Sequence, residues 1–332
     1  MSKLNFMNIL WISDGKKGHE KQVEILLNEI SKTENINIKK EIFLLSKLSQ
    51  LIELLIYSTS LLFGNLFLSK KKFLTYKKNK IDVVIGAGSS IYIRMLLIKS
   101  YLSKNDTSIK AISILTPNLY KNHFDIICAP MHDIKKVSKT NKVIYFEGSM
   151  ARVSTSEVDD SIGFIGIGGI NKHYVFDQDA IMLQIEFLLG LYPQKKWFVF
   201  TTRRTPNEMS KKVKSLALKN NNLIISDDNY DEIIEKASVK VVTQDSVNMV
   251  YESLSTKGQT FLFNMKYIKI NKIVNQINLL LSNKQVGYIE STKMVEDLNK
   301  IKIMPQNTHY DVFAEVEKVA YKLIQELKSK NL

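Results

Sequence analysis

Thr243-Gln244-Asp245-Ser246-Val247-Asn248-Met249-Val250-Tyr251-Glu252 reads as a strand end, a tight turn and the first turns of a helix, and this junction decides the fold class. The preceding Val239, Val241 and Val242 favour a buried strand. Asp245 and Ser246 are residue types that cap a helix start. Backbone N–H groups left unpaired there, with the positive end of the helix dipole, attract an anion. Asn248 and Glu252 lie four apart, share a helix face and reach past a phosphate toward a ribose or base. Two readings fit this stretch by itself: a nucleotide site, and an ordinary capped helix with a solvated Glu252.

On both sides of the junction, strand and helix patterns alternate. Asn8 to Ser13 reads as a first strand, followed by a helix from His19 to Ile30 with Val23, Leu26, Leu27 and Ile30 on one face. Strands follow at Ile36 to Leu45 and Asp82 to Gly86, then a helix over Ser90 to Leu102. Short strands come next at Ile109 to Leu115, Asp125 to Ala129 and Lys142 to Phe146. A second series opens at Gly163-Phe164-Ile165-Gly166-Ile167-Gly168-Gly169. It continues through helices near Phe176 to Leu189, Pro206 to Leu218 and Asp231 to Lys236, strands at Trp197 to Thr201, Asn222 to Ser226, Val239 to Thr243 and Thr260 to Phe263, and a helix from Lys269 to Leu281. Two successive α/β series imply two doubly wound domains. Ser154-Thr155-Ser156 and Asp159-Asp160-Ser161 break the periodicity, so the hinge is expected between Ser149 and Ser161.

At 332 residues the chain suits two domains, and 45% hydrophobic with 24% charged residues describes a globular protein. The lone Cys128 excludes an internal disulfide or a cysteine metal cluster and points to a reducing cytoplasm. It lies in the strand-like run Phe124 to Ala129 and reads as a small core residue. Met1 to Asn8 lacks a signal-peptide pattern. A formal charge of +14 calls for an anionic partner: nucleic acid, membrane or phosphorylated substrate. The absence of a recognition-helix, zinc-finger or aromatic RNA-binding pattern argues against nucleic acid.

The loop Ser13-Asp14-Gly15-Lys16-Lys17-Gly18-His19-Glu20-Lys21-Gln22 carries the second constellation. Its glycines let backbone approach a ligand, and it opens at the carboxyl end of the first strand, where open α/β sheets bind ligands. Asp14 and His19 are both proton acceptors by type; structurally, Asp14 also suits a helix cap and His19 a solvated first turn. The loop lacks the Gly-Lys-Ser/Thr ending of a P-loop and the three-glycine dinucleotide fingerprint. Three more strand-to-helix turns belong to the same rim: Gly86-Ala87-Gly88-Ser89-Ser90, Ile167-Gly168-Gly169-Ile170-Asn171 and Thr201-Thr202-Arg203-Arg204-Thr205-Pro206. Guanidinium forks match phosphate oxygens, whereas the bland reading is a solvated arginine pair before a helix-starting Pro206.

Asp14-Gly15, Gly18-His19-Glu20, Gln22, Pro130-Met131-His132-Asp133, Ile167-Gly168-Gly169, Arg203-Arg204-Thr205-Pro206 and Thr243 to Met249 together resemble the bacterial branch of the mitochondrial fission Elm family. The motifs follow the family's order from about residue 9 to residue 265, with departures at Lys21, Ser89-Ser90, Asn229-Tyr230 and Asn248. The resemblance implies a GT-B-like fold: two Rossmann-like doubly wound domains facing across a cleft, the second holding a donor nucleotide. It implies a first domain over 1–155 turned to acceptor and membrane, a nucleotide-binding domain over 156–310, and a last helix within 311–332 that crosses back to the first domain. It also implies a glycosyltransferase, with an acceptor-side base in the first loop and a Ser plus Glu helix start for the donor. The plant member's role in fission implies the contrasting function, an adaptor without catalysis that recruits a partner protein to a membrane. A short-chain-type epimerase would need a Tyr-x-x-x-Lys pair and an early dinucleotide fingerprint, and neither is convincing here.

The segment Leu48 to Leu68 is rich in leucine, but Glu53, Ser58 to Ser60, Gly64 and Asn65 interrupt it, which argues against a transmembrane helix. Lys70-Lys71-Lys72, Lys77-Lys78 and Lys80 follow, interleaved with Phe73, Leu74 and Tyr76. The region Leu51 to Lys80 therefore suits an anionic membrane surface, or else a buried helix and a solvated loop. Phe313, Val316, Val319, Ala320, Leu323, Ile324 and Leu327 form one structural stripe on a last helix.

The expected enzyme is a cytoplasmic, membrane-peripheral glycosyltransferase moving a sugar from a nucleotide-diphosphate donor to an envelope lipid or glycan. Asp14 or His19 is the catalytic base. Gly15, Gly18, Gln22, Gly86 and Gly88 form the acceptor-side loops. Gly168, Gly169, Thr202, Arg203, Arg204, Asp245, Ser246, Asn248, Met249 and Glu252 hold the donor and meet the charge developing on its diphosphate. No tightly bound cofactor is expected, and no metal, since His132-Asp133 is too small a ligand set.

Overall fold

The computed structural model describes residues 6–63, 76, 80–103, 109–137, 142–293, 299–306 and 312–329. The chain divides into two compact units, Met1–Met150 with Glu315–Leu332, and Ala151–Ala314. The lysine run at 70–72 and Lys77 and Lys78 lie outside the described residues.

In the first unit the described strands are β1 (Met7–Ser13), β2 (Ile36–Ile42), β3 (Val83–Ala87), β4 (Lys110–Ile114), β5 (Ile126–Pro130) and β6 (Lys142–Phe146). They form a parallel sheet in the order β2-β1-β3-β4-β5-β6. Ile9 to Ile12 of β1 and Val83 to Ile85 of β3 are buried, the continuous apolar run of a strand covered on both faces. At the edge, β2 carries Lys39, Lys40 and Glu41, charges that discourage pairing with another chain. The helices are α1 (Lys17–Ser31), α2 (Lys47–Phe63) and α3 (Tyr92–Leu102). α1 buries the expected stripe of Val23, Leu26, Leu27 and Ile30.

α2 is divided by face. Glu53, Tyr57 and Ser60 turn inward, while Leu48, Leu51, Ile52 and Leu55 are exposed. The inward carboxylate accepts from Arg94 Nε of α3 at 2.8 Å, and the guanidinium lies 4.5 Å from the centre of the Phe43 ring. The helix is thus neither wholly buried nor a span: none of the described helices is long and apolar enough to cross a membrane.

The second unit contains β7 (Asp159–Ile167), β8 (Lys196–Thr201), β9 (Leu223–Ile225), β10 (Ala237–Val242), β11 (Gln259–Leu262), β12 (Gly287–Lys293) and β13 (Asn299–Met304). Their order is β13-β12-β11-β10-β7-β8-β9, parallel except for the antiparallel pair β12–β13. Two differences from the sequence reading stand out. Asp159-Asp160-Ser161 is the first part of β7 instead of a break, with Asp159 paired to Ala237 ahead of an irregularity in the β7–β10 ladder. The β12–β13 hairpin was not expected at all. The helices are α4 (Gln178–Leu191), α5 (Asn207–Ala217), α6 (Tyr230–Lys236), α7 (Val247–Leu254) and α8 (Lys272–Ser282). Side chains cap two of them: Asp177 accepts from Ala180 N, and Asn271 from Ile273 N and Val274 N.

After the second unit the chain enters α9 (Glu315–Lys328), which packs on α1 and β6 of the first unit. Val316, Val319, Ala320, Leu323 and Ile324 are buried there. Each large side chain so buried contributes roughly 1.5–3 kcal/mol. Glu315 accepts from Glu147 N at 2.7 Å, fixing the start of the helix.

Candidate functional site

In the first unit the strand order reverses between β1 and β3, because the chain goes from β1 outward to β2 and then to β3 on β1's other side. Such a reversal opens a crevice at the carboxyl ends of the strands. Ile12 is level with Gly86, so the loops after β1 and β3 emerge side by side. They meet at Asp14, whose side chain is 2% exposed. Oδ1 accepts from Lys16 N at 3.2 Å; Oδ2 faces His19 Nδ1 at 3.0 Å, Ser90 Oγ at 3.1 Å and Lys16 Nζ at 3.1 Å. Burial pushes the Asp14 carboxyl up, but the bonds from Lys16 and His19 outweigh it and hold the group below its ordinary range. A carboxylate only accepts, so His19 Nδ1 is the donor to Asp14 and Nε2 is the ring nitrogen left for a substrate. The arrangement is an Asp–His dyad, Asp14 orienting and His19 open to a substrate.

Gly88 is the wall behind the dyad. A Cβ there would stand 2.5 Å from His19 Nδ1 and 2.6 Å from Asp14 Oδ2, and its φ of +110° is itself unfavourable for other residues. Gly15 N is held by Ser13 Oγ at 2.9 Å, and Ser13 Oγ donates to Glu20 Oε1 at 2.6 Å. Gly86 lies within β3. Gly18 and Gln22 lie in α1 and not in the loop; Gln22 is buried, its amide directed at Gly18 O at 3.4 Å. Sequence reasoning passed over Ser90 as an anchor of Asp14, since the contact joins residues of two different loops.

In the second unit the reversal falls between β7 and β10. The loops after β7, β8 and β10 converge there. Gly168 N donates to Thr243 Oγ1 at 2.7 Å and Gly169 N to Asp245 Oδ2 at 2.8 Å. Arg204 Nη2 lies 3.1 Å from the same Asp245 oxygen. Thr202 Oγ1 donates to Gly168 O at 3.1 Å, and Ile170 N to Arg204 O at 3.3 Å. Gly169 is fixed by close approach: a Cβ would stand 2.1 Å from the Arg204 carbonyl.

The expected capping of this helix start is corrected. Asp245 does not cap the helix; its side chain turns to Gly169 and Arg204. Ser246 sits at the N-cap position of α7 but makes no side-chain cap, leaving first-turn N–H groups for another acceptor. Glu252 is not simply solvated: it accepts from Tyr230 OH at 2.6 Å, and Tyr230 packs edge-on against Phe164 and Phe200. Asn248 and Arg203 are exposed. Met249 packs in the core with Phe164 and Val250. The sequence marks Tyr230 only within the Asn229-Tyr230 departure and not as a partner of Glu252; Asn229 before it is in a left-handed conformation at φ 62°.

A cavity of about 1110 Å³ lies elsewhere in this unit, lined by Asp160, Ser238 and Gln259 at the amino ends of β7, β10 and β11. Size does not make it the site, because the glycine loops, Arg204 and the α7 start all lie at the carboxyl ends. Among the described residues, no group of three or more His, Cys, Asp or Glu side chains is placed to hold a metal.

A UDP-GlcNAc 2-epimerase from Neisseria meningitidis, solved with UDP-GlcNAc, superposes with a TM-score of 0.55 at 12% identity, covering 98% of this chain and 100% of that one. The Staphylococcus aureus MnaA–UDP structure gives 0.50 at 10% identity over 96% and 88%. These likenesses establish an α/β, GT-B-like fold. An uncharacterized protein of Rickettsia prowazekii (strain Madrid E) is 24% identical over 283 residues, 66% of this chain and 77% of the relative. Residues 17–327 match the family described as Mitochondrial fission ELM1, and the chain belongs to that family.

Proposed function

We propose that the protein is a glycosyltransferase that takes a sugar from a nucleoside diphosphate and transfers it to a hydroxyl of a lipid or glycan acceptor. The observation that carries this reading is the preorganised Asp14–His19 dyad at the strand-order reversal of the first sheet. An adaptor has no need of a buried carboxylate aligning an imidazole. His19 Nε2 takes the proton of the acceptor hydroxyl, whose oxygen bonds to the anomeric carbon as the bond from that carbon to the diphosphate oxygen breaks. Gly168, Gly169, Thr202, Arg203, Arg204 and the α7 start meet the charge gathering on the leaving diphosphate. Both solved neighbours contain UDP or UDP-GlcNAc, which supports uridine sugars as the first donors to test.

The exposed apolar residues favour a lipid among the acceptors. Leu44 is 82% exposed, Ile42 at the end of β2 is exposed as well, and Leu48, Leu51, Ile52 and Leu55 are exposed along α2. A Cβ on Gly15 would stand 2.9 Å from Leu44 Cδ2, so the patch adjoins the dyad loop. In the sequence the lysines at 70–72 follow this helix, which suits an anionic membrane surface.

The test is a panel of nucleotide sugars screened for thermal stabilisation, followed by product analysis with lipid and glycan acceptors. Transfer that requires an acceptor is the expected result. Isomerisation of the sugar without an acceptor would replace transfer by epimerisation, and no binding by any nucleotide sugar would overturn the enzyme reading in favour of an adaptor.

A further inference from the structure

The Asp245 carboxylate lies against Gly169 and Arg204, groups the donor reading assigns to a diphosphate. Its Oδ2 receives Gly169 N at 2.8 Å and lies 3.1 Å from Arg204 Nη2, and a Cβ on Gly168 would stand 2.3 Å from it. Oδ1 is buried and has no hydrogen-bond partner. The two members of the ion pair differ in freedom: Asp245 is 1% exposed, Arg204 40%. The arginine can turn toward a ligand; the carboxylate, packed against the glycine loop, cannot follow.

We infer that Asp245 and a nucleoside diphosphate compete for Arg204, so that binding of the diphosphate is coupled to uptake of a proton by the Asp245 carboxyl. The inference rests on the donor reading above. The groups around Asp245 decide the proton's destination. From the β7 loop come Gly169 N–H and the Tyr174 phenol; Asn171 Nδ2 bonds the Asp245 backbone oxygen at 3.1 Å. From the turn after β10 comes Thr243, and from the β8 loop Arg204, the cation acting on the carboxylate. His173, on the same loop, is acted on by the charges of Lys172, Arg204 and Lys272. Burial already raises the Asp245 carboxyl, against the lowering by Gly169 N–H, Thr243 and Arg204. Once Arg204 engages phosphate, the remaining neighbours are neutral, and a carboxylate buried among neutral groups protonates. The proton comes from solvent, and Arg204 stays charged throughout.

The experiment is titration calorimetry of the full chain with whichever of UDP-GlcNAc, UDP-glucose, GDP-mannose and ADP-glucose gives the largest thermal shift, in buffers of contrasting ionisation enthalpy from pH 6 to 8. These diphosphates are diesters and do not titrate in that range, so uptake reports the protein. The expected result is net uptake approaching one proton, with affinity falling by up to about tenfold per pH unit. Asp245→Asn keeps an acceptor for Gly169 N–H; it should bind several-fold tighter at pH 8, with that uptake abolished, and its melting temperature shows whether it folds. Arg204→Ala should bind more weakly and lose the uptake. Binding with no proton uptake, or an unchanged affinity in a folded Asp245→Asn, overturns the exchange while leaving the donor site standing. Failure of all four ligands to bind overturns both.

Discussion

The Asp14 carboxylate lies 3.0 Å from His19 Nδ1 and is itself held by Ser90 Oγ at 3.1 Å, so the loops after two neighbouring strands jointly orient one imidazole. Replacing His19 by Ala should lower turnover by about 100- to 10,000-fold, the usual range for a lost general base. Asp14→Asn should also lower turnover, because an amide in its place permits the wrong tautomer. Donor affinity should change little in either, as expected when an interaction matters chiefly in the transition state. Single-turnover rates beside nucleotide binding separate the outcomes; full activity of His19→Ala would remove this loop from the chemistry.

Acid should dismantle the same loop late. The Asp14 carboxyl is held below its ordinary value of 3.8, so its contribution to stability is fully present above that value and is lost as pH falls through the lower folded value. Unfolding measured from pH 5 to pH 2 should show an acid-labile increment that Asp14→Asn lacks.

Gly88→Ala should act on both fold and function. The new Cβ would stand 2.5 Å from His19 Nδ1, and the residue would have to hold a φ of +110°. A loss of about 1–3 kcal/mol in urea unfolding is expected, together with turnover as low as that of Asp14→Asn. A stable, active Gly88→Ala would mean that the dyad can shift without consequence.

The central parallel strands were legible as short apolar runs bounded by turn residues, as in Val83-Val84-Ile85 and Val239 to Val242. The hairpin was not, although Asn299-Lys300-Ile301-Lys302-Ile303-Met304 alternates with period two. Its lysines weaken the apolar signal, and an antiparallel edge on an otherwise parallel sheet has no signal in the α/β alternation around it. At the site, the loops were legible and the partners were not. Asp245 has a capping residue's identity and position, yet its carboxylate is claimed by Gly169 and Arg204, contacts that exist only once β7, β8 and β10 lie side by side. Ser90 and Tyr230 were missed as partners for the same reason.

The exposed face of α2 gives a prediction independent of catalysis. Leu51→Ser with Leu55→Ser should reduce binding to vesicles, and since both side chains are exposed, stability should stay within about 0.5 kcal/mol per site. Neutralising the lysines at 70–72 should weaken binding to anionic vesicles in particular and leave the remainder less sensitive to salt. Equal, salt-independent binding to neutral and anionic vesicles would reject the electrostatic part of the contact.

Lys240 supplies a test of stability against pH. It is fully buried in β10, and its ammonium donates to Thr256 O at 3.0 Å, Thr256 Oγ1 at 2.7 Å and Lys257 O at 2.5 Å, just beyond the end of α7. Burial lowers its pKa from 10.5 to about 7. Between those values the unfolded chain binds more protons than the folded one, so this group makes stability rise with pH from about 7 toward 10.5. The slope is bounded by about 1.4 kcal/mol per pH unit for one proton. Lys240→Met removes the titration and leaves three oxygens without their donor, at a cost of about 1–3 kcal/mol for each that water does not reach. Urea unfolding at pH 6.5 and pH 9 should therefore show the parent's advantage over Lys240→Met widening at the higher pH. An advantage that stays constant, or narrows, would mean that Lys240 keeps its proton in the fold across this range.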